Sequence, residues 1–153
     1  MKKVFKKILI TGLFIFLLMQ LYQPALNKDD GALLPSHITM LYHVPDSVQL
    51  IFAASCYDCH SNNTKYPWYS YIQPARFMME RHIRNGKKDL NFSEFGNYSK
   101  RRQESKFESI IKQVKSGDMP LASYTMLHKN SKLTSTQKET VINWIDSILK
   151  SNE

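Results

Sequence analysis

The chain opens with one unbroken apolar block and then changes to apolar clusters at helical spacing. Ile8 to Leu21 is interrupted only by Thr11, Gly12 and Gln20. After Pro45, Asp46 can cap a helix that carries Val48, Ile51, Phe52 and Ser55 on one side and runs into Cys56. Pro74 suits the first turn of a helix through Phe77, Met78, His82 and Ile83, with Asn85-Gly86 as its expected left-handed stop. Ser99 can cap a further helix whose Phe107, Ile110, Ile111 and Val114 share a face, and Gly117 stops it. Thr134, with Gln137 three residues on, forms a capping box for a last helix. Its stripe is Val141, Ile142, Ile145, Ile148 and Leu149, with Trp144 beside it. Between these helices, Leu90 to Tyr98 reads as an irregular aromatic segment that packs over one side. No segment reads as a strand and no repeat is visible. The expected fold class is all-α, with short helices around one core.

Charge separates the N-terminal block from the rest. The 153 residues carry a formal charge of +8, of which Lys2, Lys3, Lys6 and Lys7 supply half. Four lysines before an apolar run read as a signal peptide or an uncleaved signal anchor over residues 1–22. No pair of small residues marks a cleavage site after Gln20, so the anchor is favoured, with the lysines inside and the domain facing the periplasm. The alternative is a soluble periplasmic domain after cleavage. Residues 23–43, with Pro24, Asp29, Asp30, Gly31 and Pro35, read as a connector that spaces a domain over residues 44–153 from the bilayer. His37 and His43 in it read as solvated side chains. The remaining sequence is only mildly basic and lacks an arginine stripe interleaved with stacking aromatics, so no nucleic-acid partner is expected.

Candidate chemistry centres on Cys56-Tyr57-Asp58-Cys59-His60, which has the C-x-x-C-H spacing of a c-type haem attachment site. Two thiols one helical turn apart can each add across a vinyl group of one porphyrin, and the adjacent imidazole can ligate the iron from below. These are the chain's two cysteines, so no thiol remains for a four-cysteine cluster or a closed zinc site. A thioredoxin-like redox pair would need a strand-rich βαβ setting, which is missing. The expected cofactor is one covalent c-type haem (heme c) with its iron.

The aromatic run that follows offers a candidate wall for such a cofactor. Tyr66, Pro67, Trp68 and Tyr69 begin six residues beyond His60. Trp68 and Tyr69 can donate hydrogen bonds to a propionate, and Pro67 can aim a backbone carbonyl at the second nitrogen of His60. For the sixth iron position Met119 is the first choice. It lies in a loop just past a helix stop, and Pro120 stiffens the backbone beside it. Met78, Met79, His82, Met126 and His128 compete with it.

These stretches together resemble the small haem-binding domain family of bacterial envelope proteins, which is related to monohaem class I cytochromes c. The resemblance rests on Cys56–His60 and Ser61-Asn62-Asn63-Thr64, on Tyr66-Pro67-Trp68-Tyr69, on Gly117-Asp118-Met119-Pro120-Leu121, and on Leu133-Thr134 leading to Trp144. It spans Val44 to Leu149. It implies a cytochrome c-like helical domain, covalent haem on Cys56 and Cys59, His60 as proximal ligand, Met119 as distal ligand and an envelope location. The aromatic insert between Tyr66 and Tyr98 departs from ordinary class I cytochromes.

The function expected from this reading is outer-sphere electron transfer by a carrier, not an enzyme. Its partners are a redox protein of the envelope and, through the N-terminal helix, the membrane. Arg81, Arg84, Lys87, Lys88, Lys100, Arg101 and Arg102 form a candidate basic rim for an acidic partner. The alternative is a haem-based gas or redox sensor with an open or displaceable sixth ligand. A peroxidase-like enzyme is the weakest reading, because no distal His/Arg pair is evident.

Overall fold

The computed structural model describes residues 1–151 as helices and turns, with no strand among them. The α-helices are α1 (Lys2–Met19), α2 (Ile38–Leu41), α3 (Asp46–Ser55), α4 (Tyr57–His60), α5 (Ala75–Asp89), α6 (Lys100–Ser116), α7 (Ala122–Leu127) and α8 (Ser135–Ser151). Short 3-10 turns cover Trp68–Tyr71, Phe92–Asn97 and Lys129–Ser131. The all-α expectation is met.

The amphipathic stripes decide how the long helices pack. Helices α3 and α6 both lie against α8, and α4 lies against α5. Val48, Ile51 and Phe52 of α3 meet Val141, Trp144, Ile145 and Ile148 of α8 in the core. Phe92 and Phe95, from the irregular aromatic segment, sit at the centre of that core and are fully buried. Phe92 stacks on Phe52 with ring centroids 4.9 Å apart, and Trp144 meets Phe52 edge-on at 5.7 Å. Each such side chain contributes about 1.5–3 kcal/mol by leaving water. The capping box closes as expected: Thr134 N donates to Gln137 Oε1 at 2.9 Å and Gln137 N donates to Thr134 Oγ1 at 3.2 Å. Gly117 stops α6 at φ 82°, a left-handed conformation that costs glycine nothing.

One stop signal misleads. Gly86 does not end its helix; α5 continues through it to Asp89. Its lack of a side chain serves packing instead. A Cβ there would lie 2.6 Å from the carbonyl oxygen of Cys59, so only glycine lets α5 approach α4 so closely.

Residues 23–43 are tied into the domain. Ile38 is fully buried in the core, and His37 caps α2 by accepting from Thr39 N at 3.2 Å. His37 is itself buried, unlike the solvated side chain expected in a connector. Asn27 donates from Nδ2 to Ser61 O at 2.8 Å and to Thr64 Oγ1 at 2.9 Å, while Lys87 Nζ donates to its Oδ1 at 2.7 Å. The segment is thus held at Asn27 and at residues 36–38, while residues 28–35 between them are exposed.

Helix α1 is exposed at every residue and joins the domain through Gln20, whose Oε1 accepts from Gln73 N at 2.9 Å. Four of its 18 residues are lysines, and the apolar run starts only at Ile8. Among the described residues no helix is long and apolar enough to cross a membrane. The anchor expected over residues 1–22 is therefore not supported as a membrane-crossing helix.

Candidate functional site

Helix α3 delivers Cys56 at its C-terminal cap, and the single turn α4 follows at once. Cys59 N and His60 N both donate to Cys56 O, at 3.2 and 3.0 Å, which closes the turn. That turn brings both thiols and the imidazole onto one cavity of about 470 Å³. The volume is in the range of small-molecule and cofactor sites.

The lining comes from two stretches of the chain. The first gives Ser55, Cys56, Cys59 and His60, then His82, Asn85, Gly86 and Asp89 of α5, and Leu90 and Phe92. The second gives Lys106, Ser109, Ile110, Gln113 and Val114 of α6, then Met119, Pro120, Leu121, Tyr124 and Leu133. Met119 is thus brought to the same cavity as the attachment motif. Its backbone N–H donates to Gln113 O at 3.2 Å, which ties the loop to the end of α6.

His60 is oriented by two carbonyls. Its Nδ1 lies 3.0 Å from Gly86 O and 3.0 Å from Leu90 O. Carbonyl oxygens only accept, so Nδ1 carries the proton and Nε2 keeps a free lone pair, the form a metal ligand needs. Burial lowers the imidazole pKa, and the bonds to Leu90 and Gly86 and the charge of Asp89 act in the opposite direction. The bracing carbonyls are not that of Pro67, whose oxygen accepts from Ser70 Oγ.

Burial pushes the Cys56 thiol up to about 12 and the Cys59 thiol up to about 11, with the charges of Cys59 and Asp58 adding to the respective shifts. Protonated thiols at neutral pH are poor attacking groups for disulfide exchange, which weighs against a thioredoxin-like pair.

The aromatic run stands apart from the cavity. Tyr66, Pro67, Trp68 and Tyr69 are not among its lining residues. Tyr66 instead donates to Glu80 Oε1 at 2.7 Å and accepts from Asn27 N at 2.6 Å, in a cluster with Arg76 and the backbone of Pro24. Trp68 is 77% exposed, and Tyr69 is hydrogen-bonded to His128 at 3.1 Å. The expected cofactor wall is a brace for residues 24–27 and for α7. Proximity in sequence suggested otherwise, but the 3-10 turn packs against α5 and these rings make those contacts instead.

The competing ligands separate as well. Met78, Met79, Met126 and His128 do not line the cavity, and Met126 is 72% exposed. His82 does line it, one helical turn before Gly86 and on the same face of α5. It comes from the helix whose Gly86 carbonyl braces His60, whereas Met119 comes from the loop after α6.

Most of the lining from that second stretch was not read from the sequence. Lys106, Ser109, Ile110, Gln113 and Val114 follow the i, i+3, i+4, i+7, i+8 pattern of one helix face. Their polar members hide the stripe, of which the apolar spacing shows only Ile110 and Val114.

The donor set fits a haem. Two thiols, an imidazole with a free Nε2 and a thioether face one cavity whose remaining lining is largely apolar, including Ile110, Val114, Leu121 and Leu133. No curated protein and no solved structure matches the chain. A model of the family described as haem-binding domain matches residues 14–147, which takes in the last third of α1, the connector, the C-x-x-C-H motif and most of α8. With the cavity and its donors in that span, the chain belongs to the haem-binding domain family.

Proposed function

We propose that the domain holds one covalent c-type haem and passes single electrons to a protein partner in the cell envelope. The observation that carries this reading is that His60, Met119, Cys56 and Cys59 all line one cavity. When bound, the haem would supply a one-electron iron couple. Cys56 and Cys59 would hold it through thioethers. His60 would ligate through Nε2, kept in orientation by Gly86 O and Leu90 O. Met119 would fill the sixth position, favour the ferrous state and close the metal to small molecules.

The surface supports a charged docking face. Arg81, Arg84, Lys88, Lys100, Arg101 and Arg102 are exposed on α5 and α6, the two helices that flank the cavity, and such a rim would steer an acidic partner. Lys87 belongs less to the rim, since it is half-buried on Asn27. The exposed apolar residues of α1 support membrane association of the N-terminus, and the lysines ahead of them support placing the domain outside the cytoplasmic membrane.

Spectra of the purified holoprotein test the reading. A sulfur-to-iron charge-transfer band in the oxidised form that disappears in Met119→Ala is expected. Carbon monoxide binding tightly to the reduced wild type without denaturation would replace the carrier with a sensor that has an open or displaceable ligand. An electron-transfer rate to the partner that does not fall with ionic strength would remove the basic rim from the account.

A further inference from the structure

Asp58 is the second variable position of the C-x-x-C-H motif, and neither attachment nor ligation requires it. The structure nevertheless uses both of its carboxylate oxygens. Oδ1 accepts from Lys65 N at 3.0 Å, and Oδ2 accepts from Tyr124 Oη at 2.7 Å. Tyr124 lies on α7, three residues beyond Leu121 in the segment that begins with Met119, and it lines the cavity. This hydrogen bond joins the thiol-bearing turn to the ligand loop across 66 residues of sequence. Two flanking contacts work in the same sense. Tyr69 Oη bonds His128 Nε2 at 3.1 Å, and Ser55 Oγ donates to Ser131 O at 3.0 Å. The ring of Tyr124 stacks on His128 at 4.2 Å, so the tyrosine is gripped on its face as well as at its hydroxyl.

We propose that Asp58 and Tyr124 are positioning residues for the sixth ligand: their hydrogen bond latches α7 against the attachment turn and so holds Met119 in the cavity. The inference rests on the reading of Met119 as ligand. A short segment from Gly117 to Leu127 has few buried side chains of its own. Such a segment opens locally at low cost unless something outside it holds it closed. A tyrosine hydroxyl on a carboxylate is a charge-assisted bond, stronger than a neutral one. Releasing it would let the loop open without disturbing the core helices α3, α6 and α8.

The test is imidazole titration of oxidised holoprotein, followed by the loss of the sulfur-to-iron band. Wild type, Tyr124→Phe, Asp58→Asn, the double variant and Met119→Ala are compared. Tyr124→Phe and Asp58→Asn should each bind imidazole about tenfold more tightly than wild type, and the double variant should do no more than either single one. Global unfolding midpoints of the same holoproteins should stay near wild type, because the change is local. Imidazole affinity of Tyr124→Phe within twofold of wild type, with Met119→Ala much tighter, would overturn the latch and leave the ligand intact. A wild type without the band, or Met119→Ala with wild-type affinity, would overturn the ligand reading and the latch with it. Additive effects of the two single changes would show that they act separately and would also overturn the latch.

Discussion

Gly86 touches Cys59 with its missing side chain and His60 with its carbonyl. A Cβ at Gly86 would stand 2.6 Å from Cys59 O, while Gly86 O lies 3.0 Å from His60 Nδ1. The close approach and the ligand brace are one contact. Backbone crowding cannot be relieved by a rotamer change, so Gly86→Ala should push α5 away from α4. It is expected to cost about 1–3 kcal/mol of stability and to lengthen the His60 brace. Denaturant unfolding of the holoprotein measures the first effect. A shift in reduction potential measures the second, and an unchanged potential would mean that Leu90 O orients the ring alone.

Thioether attachment makes a direct prediction for the two cysteines. Haem should remain on the wild-type chain through denaturing gel electrophoresis and be lost from Cys56→Ser/Cys59→Ser. Stain for haem on the double variant would show that the thiols do not carry the bonds.

Trp68 should matter little to the cofactor, although it lies eight positions from His60 in sequence. It is highly exposed and off the cavity lining. Trp68→Ala should leave haem spectra unchanged and stability within about 0.5 kcal/mol. A perturbed spectrum would place the indole nearer the haem than the fold does.

Phe92 is expected to be costly. It stacks on Phe52, meets Tyr57 edge-on at 5.5 Å and lies 6.4 Å from the His60 ring. Phe92→Leu removes the stacked ring while keeping apolar volume, and Phe92→Ala opens a cavity worth about 3–5 kcal/mol. Urea midpoints should fall in the order wild type, Phe92→Leu, Phe92→Ala. Equal midpoints for the two variants would mean that ring packing, and not cavity volume, sets the loss.

His37 gives the fold a pH dependence. Burial lowers its pKa below the ordinary 6.5. The folded chain therefore binds fewer protons there than the unfolded chain. The stability involved is complete above about pH 6.5 and is lost as pH falls through that value toward the lower folded pKa. Protonation also removes the Nδ1 lone pair that caps α2 through Thr39 N. His37→Asn keeps a capping acceptor but does not titrate. Between about pH 7.5 and 5.5 the variant should lose less unfolding free energy than wild type. Identical losses would assign the pH dependence to other groups.

Part of the cavity lining could be read from the sequence because close spacing and helix stopping are local matters. Cys56, Cys59 and His60 lie within one turn, so their spacing alone brings them to one place. Met119 was visible because a left-handed Gly117 and a Pro120 mark a loop that no helical stripe claims. The aromatic run failed as a guide for the opposite reason. Whether Trp68 faces a cofactor depends on the direction of a 3-10 turn and on the Arg76–Glu80–Tyr66 cluster behind it. Those contacts join the turn to a neighbouring helix, and spacing along the chain does not say which face of that helix the turn meets.

The sequence by itself determined α3, α6 and α8, the capping box at Thr134, the stop at Gly117 and the clustering of two thiols and an imidazole in one turn, since each depends on side chains within a few positions of one another. Tertiary structure alone decided that Gly86 packs instead of capping, that residues 23–43 join the domain, and that α6 supplies part of the cavity lining. It also paired Asp58 with Tyr124 and brought His82 and Met119 to one cavity. These are contacts between elements far apart in the chain. They are set by which surfaces can be buried together, and no local pattern encodes that.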